Sequence, residues 1–171
     1  MHILPNAFSV ARLILGLAFP LLPADWRWGV IVLAAITDAF DGWTARWLGA
    51  ESNLGRLLDP LADKVFVLAV AGVLLAEGAI RPLWALGVAC RDLVVLMGLA
   101  YLTATGQWAV GRRLRPSALG KATTALQFVL LVVLVIENQA PLWLLSATVL
   151  LSSAAAVDYT RKLVRLKLPP C

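Results

Sequence analysis

Charge is scarce in this 171-residue sequence: 15% of its residues are charged, while 61% are hydrophobic. Soluble domains carry about 25% charged and about 45–50% apolar residues, so the composition excludes an ordinary soluble fold. It also excludes a disordered chain, which needs low hydrophobicity and high charge. Histidine is limited to His2, and cysteine to Cys90 and Cys171. The sequence therefore holds no Ser-His-Asp or Cys-His set for nucleophilic catalysis. Cys90 falls in an apolar run and Cys171 is the last residue, so the spacing encodes neither a metal clip nor a disulfide framework. Leu168-Pro169-Pro170-Cys171 is not a prenylation signal, in which cysteine stands four residues from the end.

What is abundant is apolar sequence in runs of one length. About 20 helical residues cross the roughly 30 Å of a bilayer's hydrocarbon. Six such runs are read at 7–23, 27–49, 59–79, 82–105, 117–138 and 140–160, separated by turn-forming or charged stretches such as Pro23-Ala24-Asp25 and Arg81-Pro82. Backbone groups must be satisfied internally in lipid, so the expected fold is all-α: a polytopic bundle of six transmembrane helices forming one domain over 1–171. The first run is not read as a signal peptide, because Arg12 sits within it and Pro20 and Pro23 stand where a cleavage site would be. No internal repeat of the kind that builds transporters is evident.

Fifteen basic against ten acidic residues give a net charge of +5. In so apolar a chain this points to anionic lipid, not to nucleic acid. With the N-terminus cytoplasmic, the outer connections hold Arg27 and Arg81. Arg46, Arg56, Lys64, Arg112, Arg113, Arg115, Lys121, Arg161, Lys162, Arg165 and Lys167 then lie inside. The positive-inside rule thus predicts that both termini are cytoplasmic.

Four of the seven aspartates lie between positions 38 and 63. Asp38 and Asp41 are three apart near the inner end of the second span, and Asp59 and Asp63 are four apart where the third begins. Residues at these spacings share a helix face. Both pairs are expected just inside the cytoplasmic interface, on antiparallel neighbours. Four facing carboxylates cannot all stay ionised without cations. Clustered hard oxygen ligands suit Mg²⁺ or Mn²⁺, and two such ions serve in-line displacement at phosphorus. Taken singly, the pairs have plainer readings. Asp38 and Asp41 could reach toward interfacial water, and Asp59 could cap the third helix ahead of Pro60. A transporter using the carboxylates as an ion or proton path is the alternative of a different class, but it would place ionisable groups at several depths.

The series Asp38-x2-Asp41-Gly42-x2-Ala45-Arg46-x8-Gly55-x3-Asp59-x3-Asp63 resembles the signature of the CDP-alcohol phosphatidyltransferase family. The resemblance implies transfer of a phosphatidyl group from CDP-diacylglycerol to an alcohol, releasing CMP. It implies two divalent metal ions held by Asp38, Asp41, Asp59 and Asp63, with Asp63 also the general base. Asp38, Gly42, Arg46, Ser52 and Gly55 are implied as donor contacts, with Arg46 on the pyrophosphate. Pro5-Asn6-Ala7-Phe8-Ser9 resembles the family's element before the first helix, which puts Asn6 and Ser9 near the donor; as plain sequence the same residues read as a helix start.

The acceptor is marked less sharply. Arg91-Asp92 falls within the fourth span, where the two could offset each other or Arg91 could face the active-site cavity. Arg112, Arg113, Arg115 and Lys121 fit either a positive-inside loop or a pocket for a phosphorylated acceptor. Gly120-Lys121-x2-Thr124-x2-Gln127 resembles an element of phosphatidylglycerophosphate synthases and of eukaryotic-type cardiolipin synthases. The acceptor-binding residues are therefore expected to be Arg91, Arg112, Arg115 and Lys121. Glycerol 3-phosphate is favoured as acceptor, and phosphatidylglycerol, the cardiolipin synthase reaction, is the alternative. A bacterial inner membrane, an active site at its cytoplasmic face and a homodimer complete the expectation.

Overall fold

Every apolar run contains a helix. The computed structural model describes residues 3–48, 55–107 and 117–167, with side chains described over 10–37, 61–107 and 117–166. Helix α1 is Ile3–Ala18 and runs into a 3-10 turn at Phe19–Leu21. It is followed by α2 (Ala24–Leu48), α3 (Gly55–Ala76), α4 (Pro82–Ala104), α5 (Ala118–Glu137) and α6 (Leu142–Lys167). Among the described residues the protein is all-helical. Three segments, Pro82–Ala104, Ala118–Glu137 and Leu142–Leu166, are long and apolar enough to cross a membrane. Helices α2 and α3, of 25 and 22 residues, have the length to do so but concentrate charged residues toward the 49–54 connection.

Several boundaries differ from those read in the sequence, and the differences bear on function. Because α3 begins at Gly55, Asp59 and Pro60 lie inside the helix, and Asp59 does not cap it. Because α1 begins at Ile3, Asn6 and Ser9 are helical residues and not N-caps, while Pro5 fits the first turn, whose N–H groups have no intrahelical partner. Helix α6 continues to Lys167, beyond the expected end at 160, and so carries Arg161, Lys162 and Arg165 on helical backbone.

Helix ends are set by residues that adopt positive φ. Gly78 (φ 76°) follows α3, with Gly78 N–H donating to Leu75 and Ala79 N–H to Leu74. Gly106 (φ 65°) repeats the motif after α4, with Gly106 N–H bonded to Thr103 and Gln107 N–H to Leu102. Both are Schellman caps, which satisfy carbonyls that the helix leaves without donors. Asn138 (φ 54°) takes the same backbone region just after α5.

The chain divides into two compact units, residues 1–81 with 131–140, and residues 82–130 with 141–171. In the first, α1 packs on both α2 and α3. The approach to α3 is close, since a Cβ on Gly16 would lie 3.0 Å from the Phe66 Cα. Phe19 packs edge-on against Phe66, ring centroids 6.2 Å apart, and both are fully buried. Farther along, Arg27 sits over the Phe19 ring, donates from Nε to the Leu22 carbonyl and pairs with Glu77. Gly16 thus stands at Phe66 and Leu22 near Glu77, so α1 and α3 run in the same direction. Helix α2 starts near Glu77 and reaches Arg12 with Thr37, so it runs opposite to both.

The second unit has the same alternation. Gly87 meets Val149 and Gly98 meets Tyr159, which makes α4 and α6 parallel. Virtual Cβ atoms on these glycines would fall 2.9 Å from the facing side chains, so their small size sets the helix spacing. On α5, Gln127 reaches Val88 and Asp92 while Thr124 reaches Arg91, so α5 is antiparallel to α4. The outward surface is apolar, with Leu17, Leu21, Leu83 and Leu150 each more than 60% exposed. Trp26 and Trp28 stand at the start of α2 and Trp143 at the start of α6, where interfacial tryptophans anchor a membrane helix.

Gly16→Val should lower the melting temperature in detergent, at a cost of about 1–3 kcal/mol from overpacking against the α3 backbone. Gly29→Ala, where no atom lies within 4 Å, should be neutral or mildly stabilising in the same assay.

Candidate functional site

The alternation in the first unit fixes axial levels. Arg12 lies four residues before Gly16, about 6 Å along α1 at 1.5 Å per residue. Asp63 lies three residues before Phe66, about 4.5 Å along the parallel α3. Arg12 and Asp63 therefore stand at one level, and Arg12 Nη2 lies 3.5 Å from Thr37 Oγ1 of α2. Thr37 immediately precedes Asp38. Continuing α2 beyond Thr37 carries the backbone of Asp38 and Asp41 toward the side from which α3 arrives with Asp59. The side chains of Asp38, Asp41, Arg46 and Asp59 lie outside the described ones, as do those of Asn6 and Ser9; Gly42 and Gly55 are placed only as helical backbone. Ser52, Arg112 and Arg115 lie outside the described residues altogether.

Asp63 is the one member of the series with a described side chain. It is 7% exposed, and its Oδ2 accepts a hydrogen bond from Lys64 Nζ at 2.7 Å. Neighbouring residues on a helix do not normally face each other, so the lysine stem must bend back for its ammonium to reach Oδ2. Oδ1 of Asp63 is buried and has no donor among the described residues. Leaving a buried carboxylate oxygen without a donor costs at least about 1–3 kcal/mol. A divalent cation is the kind of group that relieves such a cost, so this residue fits a hard-metal ligand. Among the described residues no group of three metal-binding side chains occurs, as follows when only one of the four aspartates has a described side chain.

The second unit holds a separate polar cluster on α4, α5 and α6. Arg91 Nη1 donates to Thr124 Oγ1 at 2.8 Å and lies 3.5 Å from Asp92 Oδ1. Gln127 Nε2 donates to Asp92 Oδ2 at 2.7 Å. Ser152 Oγ donates to the Val88 carbonyl and accepts from the Arg91 backbone N–H, which ties α6 into the set. Ser117 Oγ accepts from Gly120 N–H and so caps α5. Of the expected acceptor residues, the structure brings Arg91 to the start of α5, beside Gly120, and leaves the next residue, Lys121, exposed. Arg91 and Asp92 do offset each other, and the Arg91 side chain keeps 16% exposure.

Sequence reasoning did not single out Arg12, Thr37 or Lys64 as parts of the site. Arg12 was recognisable as the sole side-chain charge inside an otherwise apolar run, a position at which ionisable residues are costly and usually functional. Thr37 carried no such signal.

A family model described as CDP-alcohol phosphatidyltransferase matches residues 2–157. The chain belongs to the CDP-alcohol phosphatidyltransferase family. Its relatives include a chloroplastic CDP-diacylglycerol–glycerol-3-phosphate 3-phosphatidyltransferase of Oryza sativa, 33% identical over 106 residues, covering 60% of this chain and 32% of that protein. The CDP-diacylglycerol–glycerol-3-phosphate 3-phosphatidyltransferase of Rickettsia bellii is 34% identical over 146 residues, covering 80% of this chain and 76% of that protein. The cardiolipin synthase (CMP-forming) of Homo sapiens is 30% identical over 145 residues, covering 74% of this chain and 48% of that protein. Membership places the chain among transferases of phospholipid synthesis and leaves the transporter alternative without support. In this family member both Asp63 and Arg12 fall inside the matched region.

Arg12→Leu should reduce turnover at least about tenfold, equivalent to about 1.4 kcal/mol, because it removes a buried cation at the level of the aspartates. Turnover measured by CMP release at wild-type level, with helix content by circular dichroism unchanged, would contradict this.

Proposed function

We propose that the protein transfers a phosphatidyl group from CDP-diacylglycerol to the hydroxyl of a glycerol-type alcohol, with glycerol 3-phosphate favoured, and releases CMP. The observation that carries this reading is the buried Asp63 carboxylate, its Oδ1 lacking a donor among the described residues, at the end of an aspartate series spaced as in the family. The printed names of the rice and Rickettsia relatives support glycerol 3-phosphate as acceptor.

Transfer at phosphorus depends on positioning and charge neutralisation more than on covalent catalysis. Asp38, Asp41, Asp59 and Asp63 would hold two divalent ions, Mg²⁺ or Mn²⁺, which when bound supply neutralisation of phosphate charge. Asp63 takes the proton of the acceptor hydroxyl as its oxygen bonds to phosphorus, while the bond from phosphorus to the departing CMP oxygen breaks. Lys64, donating to Oδ2, holds that carboxylate in place. Arg46, Gly42, Ser52 and Gly55 seat the CDP portion, with Arg46 on the pyrophosphate and Asn6 and Ser9 close by. Arg91, Arg112, Arg115 and Lys121 take the phosphate of the acceptor, a soluble dianion suited to a basic cluster.

The proposal includes six membrane spans, both termini cytoplasmic, the active face toward the cytoplasm of a bacterial inner membrane, and a homodimer. The up-down alternation within each unit and the tryptophans at the starts of α2 and α6 support this topology. Cysteine labelling from either side of sealed vesicles tests it. The second reading, transfer to phosphatidylglycerol, is supported by the human relative's name. Incubating purified protein with CDP-diacylglycerol and each acceptor in turn, with lipid products read by mass, decides between them. Phosphatidylglycerophosphate is expected, and cardiolipin would favour the second reading.

Asp63→Asn should lower CMP release by about 10²–10⁴-fold, the usual contribution of a general base, while CDP-diacylglycerol binding is largely kept. Excess chelator should abolish wild-type activity, and added Mg²⁺ or Mn²⁺ should restore it.

A further inference from the structure

Replacing a buried ion pair by apolar side chains often leaves a protein no less stable, so stability alone does not account for Arg91 and Asp92 in the middle of α4. Their surroundings are built at some expense. The Gln127 amide can be oriented in one way only, because turning it over would set Oε1 against the Asp92 carboxylate. In the orientation adopted, Nε2 donates to Asp92 and Oε1 is buried without a donor among the described residues. Asp92 and Gln127 are 0% and 1% exposed, so neither can meet a soluble substrate. Gln127 holds Asp92, and Asp92 in turn reaches Arg91. Asp92 Oδ1 and Thr124 Oγ1 both lie on Nη1, and two acceptors on one nitrogen restrict the plane of the guanidinium. The Nε–Nη2 edge has no acceptor among the described residues, and its two N–H groups match two oxygens of a phosphate. Glycine at 120 supplies the room, since a Cβ there would fall 3.3 Å from Nη2.

We propose that Asp92 and Gln127 are positioning residues: acting through Nη1, they orient the Arg91 guanidinium so that its Nε–Nη2 edge receives the phosphate of the acceptor. The inference rests on the reading of Arg91 as an acceptor-binding residue, and the test separates the two.

The experiment uses the full chain purified in detergent. CMP release is measured with glycerol 3-phosphate and CDP-diacylglycerol varied in turn. Arg91→Gln tests the underlying reading and should raise the KM for glycerol 3-phosphate at least about tenfold with the donor KM unchanged. Asp92→Asn and Gln127→Leu should raise the same KM about 3–10-fold, leaving kcat and the donor KM near wild type. Gly120→Ala should do likewise by displacing Nη2, although alanine favours the helix it enters. Should one of the first two fail to fold, the other decides; should both fail, Gln127→Asn, which keeps an amide but shortens its reach to Asp92, takes their place. If Arg91→Gln raises the acceptor KM and the other foldable variants do not, the positioning role is overturned and the acceptor reading stands. If those variants raise both KM values equally, or alter only the melting temperature, the role is merely structural and the proposal fails. If Arg91→Gln leaves the acceptor KM unchanged, the acceptor reading falls, and the proposal with it.

Discussion

A charged group taken out of water into a helical bundle keeps its charge only where another helix supplies an opposite charge or hydrogen bonds. That requirement organises both units. In the first, the largely buried Arg27 meets the Leu22 carbonyl, the Phe19 ring and the exposed Glu77, which ties the start of α2 to the end of α3. In the second, Arg91, Asp92, Thr124 and Gln127 form one connected set across α4 and α5. Apolar packing brings the helices together and lipid covers their outer faces, but neither specifies register. The polar pairs do, because each is satisfied at one axial offset only.

Glycine and aspartate divide the work in a way that follows from this. Gly16, Gly87 and Gly98 let backbones approach until side chains from neighbouring helices meet. The close approach of α1 to α3 sets Arg12 level with Asp63. The buried carboxylate is then supported from one side by Lys64, while its other oxygen has no donor among the described residues. An unsatisfied buried oxygen is a poor feature for stability and a good one for a ligand, and such departures from ideal packing are expected at functional sites.

Much of this was legible in the sequence. Each apolar run contains one of the six helices, and three of these are long and apolar enough to cross a bilayer. The aspartate series marked the reaction class through its resemblance to the family's signature, and the family match over residues 2–157 agrees. Boundaries were harder: Gly55 and Ile3 start helices earlier than expected, because Pro60 reads as a first-turn residue but lies inside α3, and Asn6 and Ser9 read as caps but lie inside α1. The extension of α6 through Arg161 and Arg165 was hidden by its charge, since hydropathy ends where the bilayer does but helical hydrogen bonding does not. The contribution of Gln127 to holding Asp92 was not legible at all. It depends on axial offset between α4 and α5, which no one-dimensional pattern records.

The placement of Arg12 also has a consequence for biosynthesis. Helix α1 carries a guanidinium that meets Thr37 of α2, a residue made 25 positions later. At about 5–20 residues per second, synthesis of that stretch takes about 1–5 s. An arginine opposes entry of a lone helix into hydrocarbon by up to about 2.5–3.5 kcal/mol, the figure for a residue at the helix centre. By itself α1 is therefore poorly suited to partition into lipid, and α2, which brings Thr37 to the guanidinium, lowers that cost once it is made.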